Sequence, residues 1–344
     1  MTKNSPSSIW YTRCPVPTPL GIAVQLGWVA EAFGRDGIAV ESVFDHKDPA
    51  VRKSHFDHHL AYSFRQGGNI PAIWARSRGA KSRLIGITWT DEFQAIITLP
   101  ERGIAKTEDL AGRRFGLTRN DGEFVDINRA IALKGLTSAL SLVGLEPEAV
   151  DLVDLPIGSY FGADPDPALF GLRRAHAYRT EIRALVDGKV DAIYVKGAEG
   201  LAAANLIGAR SVVEFGFHPD PKIRINSGTP RTLTVDETFL DERPDLVARL
   251  VAEVQRAGRW AAAHPEETRR IVATEIGVSE DAVVAAHGPA LARSLSLGLD
   301  ANLVAAIDHY KTFLFTAGFL PADFALAEWI SEEPLQAAEL VAAA

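Results

Sequence analysis

This sequence is short of the features that mark secreted and membrane-spanning proteins. Its 344 residues include one cysteine, Cys14, so no disulfide can form within the chain and nothing points to an oxidising compartment. The first residues lack the apolar core of a signal peptide, and there is no run of roughly 18 apolar residues that could cross a membrane. We therefore expect a cytoplasmic protein.

The chain also lacks any run of lysine and arginine, and its formal net charge is -8. Nucleic acids and anionic membranes need a concentrated basic face, so neither is expected as a partner. A small anionic ligand stays possible, because one buried arginine can dominate its own pocket. A hydrophobic content of 47% is typical of a globular chain. The chain is longer than a domain with one simple core, which predicts two lobes.

Strand-like and helix-like segments alternate over the first two thirds of the chain. "SIWYTR", "IAVESVF", "SRLIGITWT", "QAIITLP", "RRFGLT" and "VDAIYV" are predicted strands, and helical periodicity covers Pro19 to Phe33. After "INSGTPRTLTV" the chain is strongly helical, with one apolar stripe at Leu246, Leu250, Val254, Ala257 and Ala261. This order predicts an α/β architecture with a parallel sheet and a helical C-terminal portion.

Cys14 lies in "WYTRCPVPTP", in the loop between the first strand and the first helix. Helix N-termini present free N–H groups and partial positive charge, which favour a reactive thiolate. A lone cysteine is also commonly a buried small hydrophobic residue. Position alone leaves both interpretations open.

A histidine cluster follows in "KSHFDHHLAYSFRQGGNIPAI". The side chains that could hold a metal here are His55, His58 and His59, with Asp45, His46 and Asp57 nearby. No carboxylate completes a known zinc spacing, so we favour a polar turn with one or two functional histidines and expect neither metal nor cofactor.

Arg65 and the glycines after it suggest an anion site. Two consecutive glycines let the backbone approach a ligand closely, and the guanidinium offers a planar fork of donors to a carboxylate, sulfinate, sulfonate or phosphate. On its own the pattern also fits an ordinary solvated loop.

Taken together, these motifs resemble the 2'-hydroxybiphenyl-2-sulfinate desulfinases of dibenzothiophene desulfurisation. The shared pattern is Cys14-Pro-Val-Pro, then His55-Phe, then Arg65 ten residues later, leading the Gly67-Gly68-Asn-Ile-Pro turn. Further similar segments are "RLIGITWTDEFQAIIT", "DLAGRRFGLT", "GKVDAIY" and "IGARSVVEFG", so the resemblance covers most of the chain. It departs at Asn69, where the family has an acidic residue, in the length between Cys14 and His55, and at "TRNDGEFVDINRAIALKG".

The resemblance implies a two-lobed, periplasmic-binding-protein-like (type II) α/β fold, as in the nitrate, sulfonate and taurine binding proteins, with the ligand cleft between the lobes. We place lobe 1 at residues 1–97 and 212–344, carrying Cys14, His55 and Arg65, and lobe 2 at 98–211.

The implied activity is that of an aryl sulfinate desulfinase, a hydrolase that cleaves the carbon–sulfur bond of 2'-hydroxybiphenyl-2-sulfinate or a related aromatic sulfinate to the phenol and sulfite. Cys14 and His55 would be catalytic, and Arg65 and Gly68 would bind the substrate. The family habit implies a monomer. Candidate walls for the aromatic part are Trp10, Phe56, Trp74 and Trp89.

The alternative is a solute-binding protein that captures a small sulfonate-like or sulfinate-like anion without transforming it. The same fold and the same Arg65 would serve that function. Two features disfavour it: no export signal is evident, and a binder has no need of a cysteine at its anion site.

Overall fold

Two five-stranded sheets organise the part of the chain that the structure describes, which is residues 6–122, 124–157 and 177–343 of a computed structural model. The strands are β1 (Ser8–Arg13), β2 (Ala39–Ser42), β3 (Ser63–Gly67), β4 (Ser82–Thr88), β5 (Gln94–Thr98), β6 (Arg114–Arg119), β7 (Asp151–Pro156), β8 (Ala192–Lys196), β9 (Arg210–Glu214) and β10 (Arg231–Asp236).

The helices of the first two thirds are α1 (Pro19–Gln25), α2 (Trp28–Gly34), α3 (Pro49–Asp57), α4 (Asn69–Ser77), α5 (Ile127–Ser141), α6 (Arg179–Val186), α7 (Gly197–Leu206) and α8 (Pro221–Arg224). Those after β10 are α9 (Glu237–Glu242), α10 (Pro244–Ala263), α11 (Pro265–Ile276), α12 (Glu280–His287), α13 (Ala301–Thr316), α14 (Leu326–Trp329) and α15 (Glu333–Ala343). The C-terminal third is therefore helical, as its sequence predicts.

The first compact unit comprises residues 6–90, 227–281 and 289–343 of the described chain. Its strand order is β2-β1-β3-β10-β4. β1 runs parallel to β2 and β3, whereas β10 runs antiparallel to both of its neighbours. The carboxyl ends of β1 and β3 consequently lie side by side at one edge of this sheet.

The second unit comprises residues 91–226 and 282–288, with residues 123 and 158–176 outside the described chain. Its strand order is β7-β6-β8-β5-β9, and β5 is antiparallel to β8 and β9. Alternate residues of its strands face opposite cores. Ile96 and Tyr194 pack into one cluster, whereas Ile97 and Ile193 pack into the other.

The chain divides at other points than the sequence-based boundaries of 97 and 212. β5 and β9 pair with each other in the second sheet, so the chain leaves the first unit before β5 and returns after β9. Residues 282–288 add a short excursion that the sequence does not predict. Both sheets are mixed rather than parallel, because β5 and β10 follow crossings between units and not right-handed βαβ connections.

The helix expected from Pro19 to Phe33 is two helices, because Gly27 adopts a left-handed conformation (φ 77°) that ends one and begins the next. The apolar stripe of α10 is confirmed, and its five residues are fully buried. Among the described residues, no helix combines the length and the apolar character that crossing a membrane requires.

Candidate active site

Cys14 lies at the carboxyl edge of the first sheet, immediately after β1. The parallel register sets Thr12 opposite Arg65, and the Cys14 N–H donates to the Gln66 carbonyl at 3.4 Å. The thiol therefore stands beside Gly67, at the end of the neighbouring strand. Strand pairing thus brings together two motifs that lie about fifty residues apart in the sequence.

Gly67 and Gly68 provide the space that this arrangement needs. A Cβ atom at Gly67 would lie 2.3 Å from Cys14 Sγ and 2.7 Å from Cys14 Cβ, closer than real atoms approach. A Cβ atom at Gly68 would lie 2.9 Å from Ser227 Oγ and 3.2 Å from the Ser227 carbonyl oxygen. The first glycine admits the thiol, and the second admits the segment that leads into β10.

Arg65 is buried, with 3% of its surface exposed, and it connects the other site residues. Its Nε donates to the His55 carbonyl (3.3 Å), its Nη1 to the Gly68 carbonyl (2.8 Å) and its Nη2 to Cys14 Sγ (3.4 Å). Burial lowers the pKa of Arg65, and the charge of Cys14 opposes that effect. The guanidinium is therefore held next to the sulfur by backbone acceptors on either side.

His55 lies on the last turn of α3, with its Nε2 4.0 Å from Cys14 Sγ. Phe44 and Phe56 pack edge-on against its ring, at centroid distances of 5.9 and 4.5 Å. Burial, and secondly the positive charge of Arg65, hold the pKa of His55 well below 6.5. At neutral pH the imidazole is uncharged, so it can accept a proton from the thiol and return it.

The N-terminus of α1 is not open to a thiolate. Its Leu20 N–H donates to Gln66 Oε1 (2.9 Å) and its Gly21 N–H to the cap Thr18 Oγ1 (3.0 Å), while Ile22 N–H binds the Thr18 carbonyl. Pro19 has no N–H. The expectation that free helix donors activate Cys14 is therefore wrong, and Arg65 is the positive group that contacts the sulfur.

The other histidines of the cluster do not converge on a metal site. His59 Nδ1 binds Asp57 Oδ1 at 2.5 Å on the exposed side of the turn, whereas His58 Nε2 points into the interior. Within the described residues, no three side chains of histidine, cysteine, aspartate or glutamate are grouped to hold a metal ion.

The four aromatic residues predicted to form walls of the site have different surroundings in the structure. Phe56 contacts His55 directly, whereas Trp10 packs against His46 and Trp74 lies beneath Arg78. Trp89 is half-buried. Asn69, the departure after the glycines, is buried and donates through Nδ2 to the Pro230 carbonyl (2.9 Å), so it anchors the start of β10.

The structure therefore brings Cys14, His55, Arg65 and Gly68 together, as the motifs predict. The group of Gly68 that contacts another site residue is its carbonyl, which accepts a hydrogen bond from Arg65. Sequence reasoning missed Phe44 as a partner of His55 and missed the steric role of Gly67. The consecutive glycines were the available signal for the second of these.

No family model matches the chain. Two curated relatives, the 2'-hydroxybiphenyl-2-sulfinate desulfinases of Rhodococcus erythropolis and Rhodococcus qingshengii, are each 28% identical over 362 residues, covering 95% of this chain and 92% of the relative. A crystal structure of the desulfurization enzyme DszB matches with a TM-score of 0.77 and 26% identity, over 97% of this chain and 99% of that one.

A cysteine-to-serine variant of DszB, in complex with biphenyl-2-sulfinic acid, matches with the same TM-score and coverage and 27% identity. The periplasmic aliphatic sulphonate binding protein SsuA of Escherichia coli matches at 14% identity and a TM-score of 0.65, over 95% of this chain and 93% of that one, which concerns the fold alone. The chain is thus a relative, in sequence and structure over nearly its whole length, of the 2'-hydroxybiphenyl-2-sulfinate desulfinases, and it has the periplasmic-binding-protein-like α/β fold that its sequence predicts.

Proposed function

We propose that this protein is an aryl sulfinate desulfinase. It hydrolyses the carbon–sulfur bond of 2'-hydroxybiphenyl-2-sulfinate, or of a related aromatic sulfinate, to the desulfurised phenol and sulfite. The observation that carries the proposal is the contact of one cysteine sulfur with both an arginine and a neutral histidine. The same enzyme class is the one to which the chain is similar over 95% of its length.

Arg65 binds the sulfinate. A guanidinium has five N–H donors, and three of them are used by the His55 carbonyl, the Gly68 carbonyl and Cys14 Sγ. One N–H on each terminal nitrogen is left, and these two donors can bind the two oxygens of a sulfinate. The Gly68 N–H adds a further donor in this proposal.

Cys14 breaks the carbon–sulfur bond by one of two routes. As an acid, the thiol protonates the ring carbon, the sulfur leaves as SO₂, and hydration of SO₂ gives bisulfite and returns the proton to the thiolate. As a nucleophile, the sulfur attacks the sulfinate sulfur, the aryl group leaves with a proton, and water then hydrolyses the Cys–S–SO₂⁻ adduct. Both routes consume one water and need no redox partner.

His55 serves either route as the group that exchanges a proton with Cys14. Its Nε2 lies at the outer limit of a hydrogen bond to sulfur, at 4.0 Å, and its ring is fixed by Phe44 and Phe56. Burial, and secondly the neighbouring Arg65 charge, lower the pKa of His55 and keep the imidazole neutral, so that it holds a proton from the thiol only transiently. A neutral base beside a cation-bound sulfur is the arrangement that nucleophilic and acid catalysis by cysteine both use.

A solute-binding role is the competing proposal, and the likeness to SsuA supports it through the fold alone. The deciding experiment incubates the purified, EDTA-dialysed protein with 2'-hydroxybiphenyl-2-sulfinate and measures sulfite and 2-hydroxybiphenyl. We expect both products in equal amounts. Binding of the compound without either product would favour the solute-binding role or a different sulfinate.

The protein acts, in this proposal, as a cytoplasmic monomer. Support for the cytoplasmic location comes from its catalytic thiol, which functions in the reduced form that the cytosol maintains. Cell fractionation followed by light scattering of the purified protein tests both statements. A membrane or secreted fraction would contradict the first, and a stable oligomer the second.

A further inference from the structure

A small internal cavity lies beside Arg65 in the first unit. It leaves about 10 Å³ for the centre of a water molecule, which is close to the room that one buried water requires. Its polar lining residues are Thr12, Ser54, His58, Ser63, Arg65, Ser82, Thr234 and Asp236. A cavity of this size and polarity suits an ordered water rather than an apolar ligand.

His58 is the unusual member of this lining. It ends α3 in the left-handed conformation (φ 53°, ψ 37°), where glycine or asparagine is favoured, and its N–H donates to the Ser54 carbonyl. Its Nε2 is buried and, over the ranges that the structure describes, has no hydrogen-bond partner in the protein. The left-handed backbone costs free energy, and the buried nitrogen costs more unless a further group binds it.

The surrounding hydroxyls are already oriented. Ser63 Oγ donates to the Leu60 carbonyl (2.6 Å), and Ser54 Oγ accepts from the Leu60 N–H (3.0 Å). The hydroxyl hydrogen of Ser54 is therefore able to point to a water, and Thr12 lines the same space from β1. A water between His58, Ser54 and Thr12 would have the two to four partners that buried waters make.

The cavity lies where the end of α3 meets three strands. Thr12 belongs to β1, Arg65 to β3 and Thr234 to β10, whereas Ser54 and His58 belong to α3. A water in this position would tie the helix to the strands, and therefore tie His55 to β1, which leads to Cys14, and to β3, which carries Arg65. His58 and Asp236 also line an open surface pocket, so they lie between the two spaces.

We propose that His58 is a positioning residue, which holds one water in this cavity and so fixes α3, with His55, against β1, which leads to Cys14, and β3, which carries Arg65. The proposal rests on the proposed function for its kinetic consequence, but not for the water site itself. His58 does not touch the sulfinate in this account. It acts through the water and the helix.

The direct test is a crystal structure of the wild-type protein at a resolution that shows ordered water. We expect a water within hydrogen-bond distance of His58 Nε2 and of at least one hydroxyl of Ser54 or Thr12. A cavity without that water, or a His58 ring turned away from it, would overturn the proposal. This result does not depend on whether the protein releases sulfite.

The kinetic test compares His58→Phe, His58→Gln and His59→Phe after thermal unfolding shows that each is folded. Phenylalanine keeps a flat ring but cannot bind water. The loss of one hydrogen bond corresponds to about a tenfold change in rate, so kcat for sulfite release should fall by about that factor, and KM should change less. Glutamine shares the backbone strain but offers an amide near the position of Nε2, and should restore kcat to within about threefold.

His59→Phe is the matched control, because His59 is exposed, binds Asp57 and does not line the internal cavity. It should match the wild type. Equal kcat in His58→Phe and wild type, or a glutamine variant as slow as the phenylalanine variant, would refute the positioning role. If the wild type itself releases no sulfite, the proposed function fails and the crystallographic test of the water site still decides this proposal.

Discussion

The site is assembled from a few residues whose contacts are set by size and charge. Arg65 joins Cys14, His55 and Gly68 through three hydrogen bonds, so its guanidinium is fixed before any substrate arrives. Fixed donors favour catalysis because they need no reorganisation as charge develops on the substrate. The steric counterpart is Gly67, whose missing side chain is the space that the Cys14 thiol occupies.

Gly67→Ala should displace the thiol. The new Cβ would overlap Cys14 Sγ and Cβ, and misplacing a reacting group by about 1 Å can reduce the rate about 100-fold. We expect a loss of that order in kcat for sulfite release, with the fold retained by circular dichroism. Gly34→Ala is the control, because its Cβ meets nothing within 4 Å and its φ is ordinary. A Gly67→Ala enzyme as fast as that control would contradict the account of the thiol.

The pH dependence of sulfite release should report His55. Its pKa lies well below 6.5 because burial and the Arg65 charge disfavour the imidazolium. Activity that needs the neutral ring is therefore retained as pH falls through 6.5 and is lost only as pH reaches the lowered value. We expect kcat/KM to be flat from about pH 8 through 6.5, measured in buffers of constant ionic strength. An acid limb centred at 6.5 or above would contradict this assignment.

At the residue scale, the sequence predicted Cys14, His55, Arg65 and Gly68 as site residues, because they lie in a motif that resembles a known family. It did not predict which atoms of these residues contact one another. That Gly67 meets Cys14, and that His58 turns inward, depends on pairing between β1 and β3 and on one left-handed residue. Neither can be read from local patterns.

At the scale of elements, α1 stabilises the loop that carries Cys14. The loop is bounded by β1, whose ladder extends to the Cys14 N–H, and by the cap at Thr18. Gln66 adds a cross-link, since its Oε1 accepts from Leu20 and its Nε2 donates to Thr88 Oγ1 (3.2 Å). The loop is therefore held at both ends, although Pro15 and Pro17 prevent it from being a strand.

Thr18→Ala should weaken this helix start. The variant removes the acceptor for the Gly21 N–H, and loss of such a cap costs about 1 kcal/mol of unfolding free energy. For a unit of this size the melting temperature should fall by roughly 2–4 °C in calorimetry. Thr18→Ser keeps the hydroxyl acceptor and should melt close to the wild type. Equal melting of all three proteins would show that the cap contributes nothing.

Elements with strong local signals were predictable, and those set by long-range geometry were not. The strand "SIWYTR" and the apolar stripe of α10 carry β-branched or periodic residues, and both are confirmed. Periodicity cannot show that Gly27 turns left-handed, so the helix expected from Pro19 to Phe33 is interrupted. Strand direction is also non-local, which is why β5 and β10 run against the predicted parallel order.

At the scale of the whole molecule, the fold class followed from the alternation of strands and helices together with the family resemblance. The exact points at which the chain divides could not be predicted. They depend on the pairing of β5 with β9 in the second sheet, for example of Thr98 with Arg210, which lie 112 residues apart in the sequence. The excursion of residues 282–288 interrupts a helical region that looks uniform in sequence. The predicted site residues Cys14, His55, Arg65 and Gly68 nonetheless lie close together, because all four belong to the first unit and none depends on the boundaries that were misplaced.

The most direct test of the account is sulfite release from 2'-hydroxybiphenyl-2-sulfinate by the wild-type protein beside Cys14→Ser. Serine keeps the size of the side chain but not the acidity or the nucleophilicity of the thiol. We predict sulfite from the wild type and none above background from the serine variant, with both proteins folded. Equal sulfite release by the two proteins would show that Cys14 is structural and would contradict the central claim.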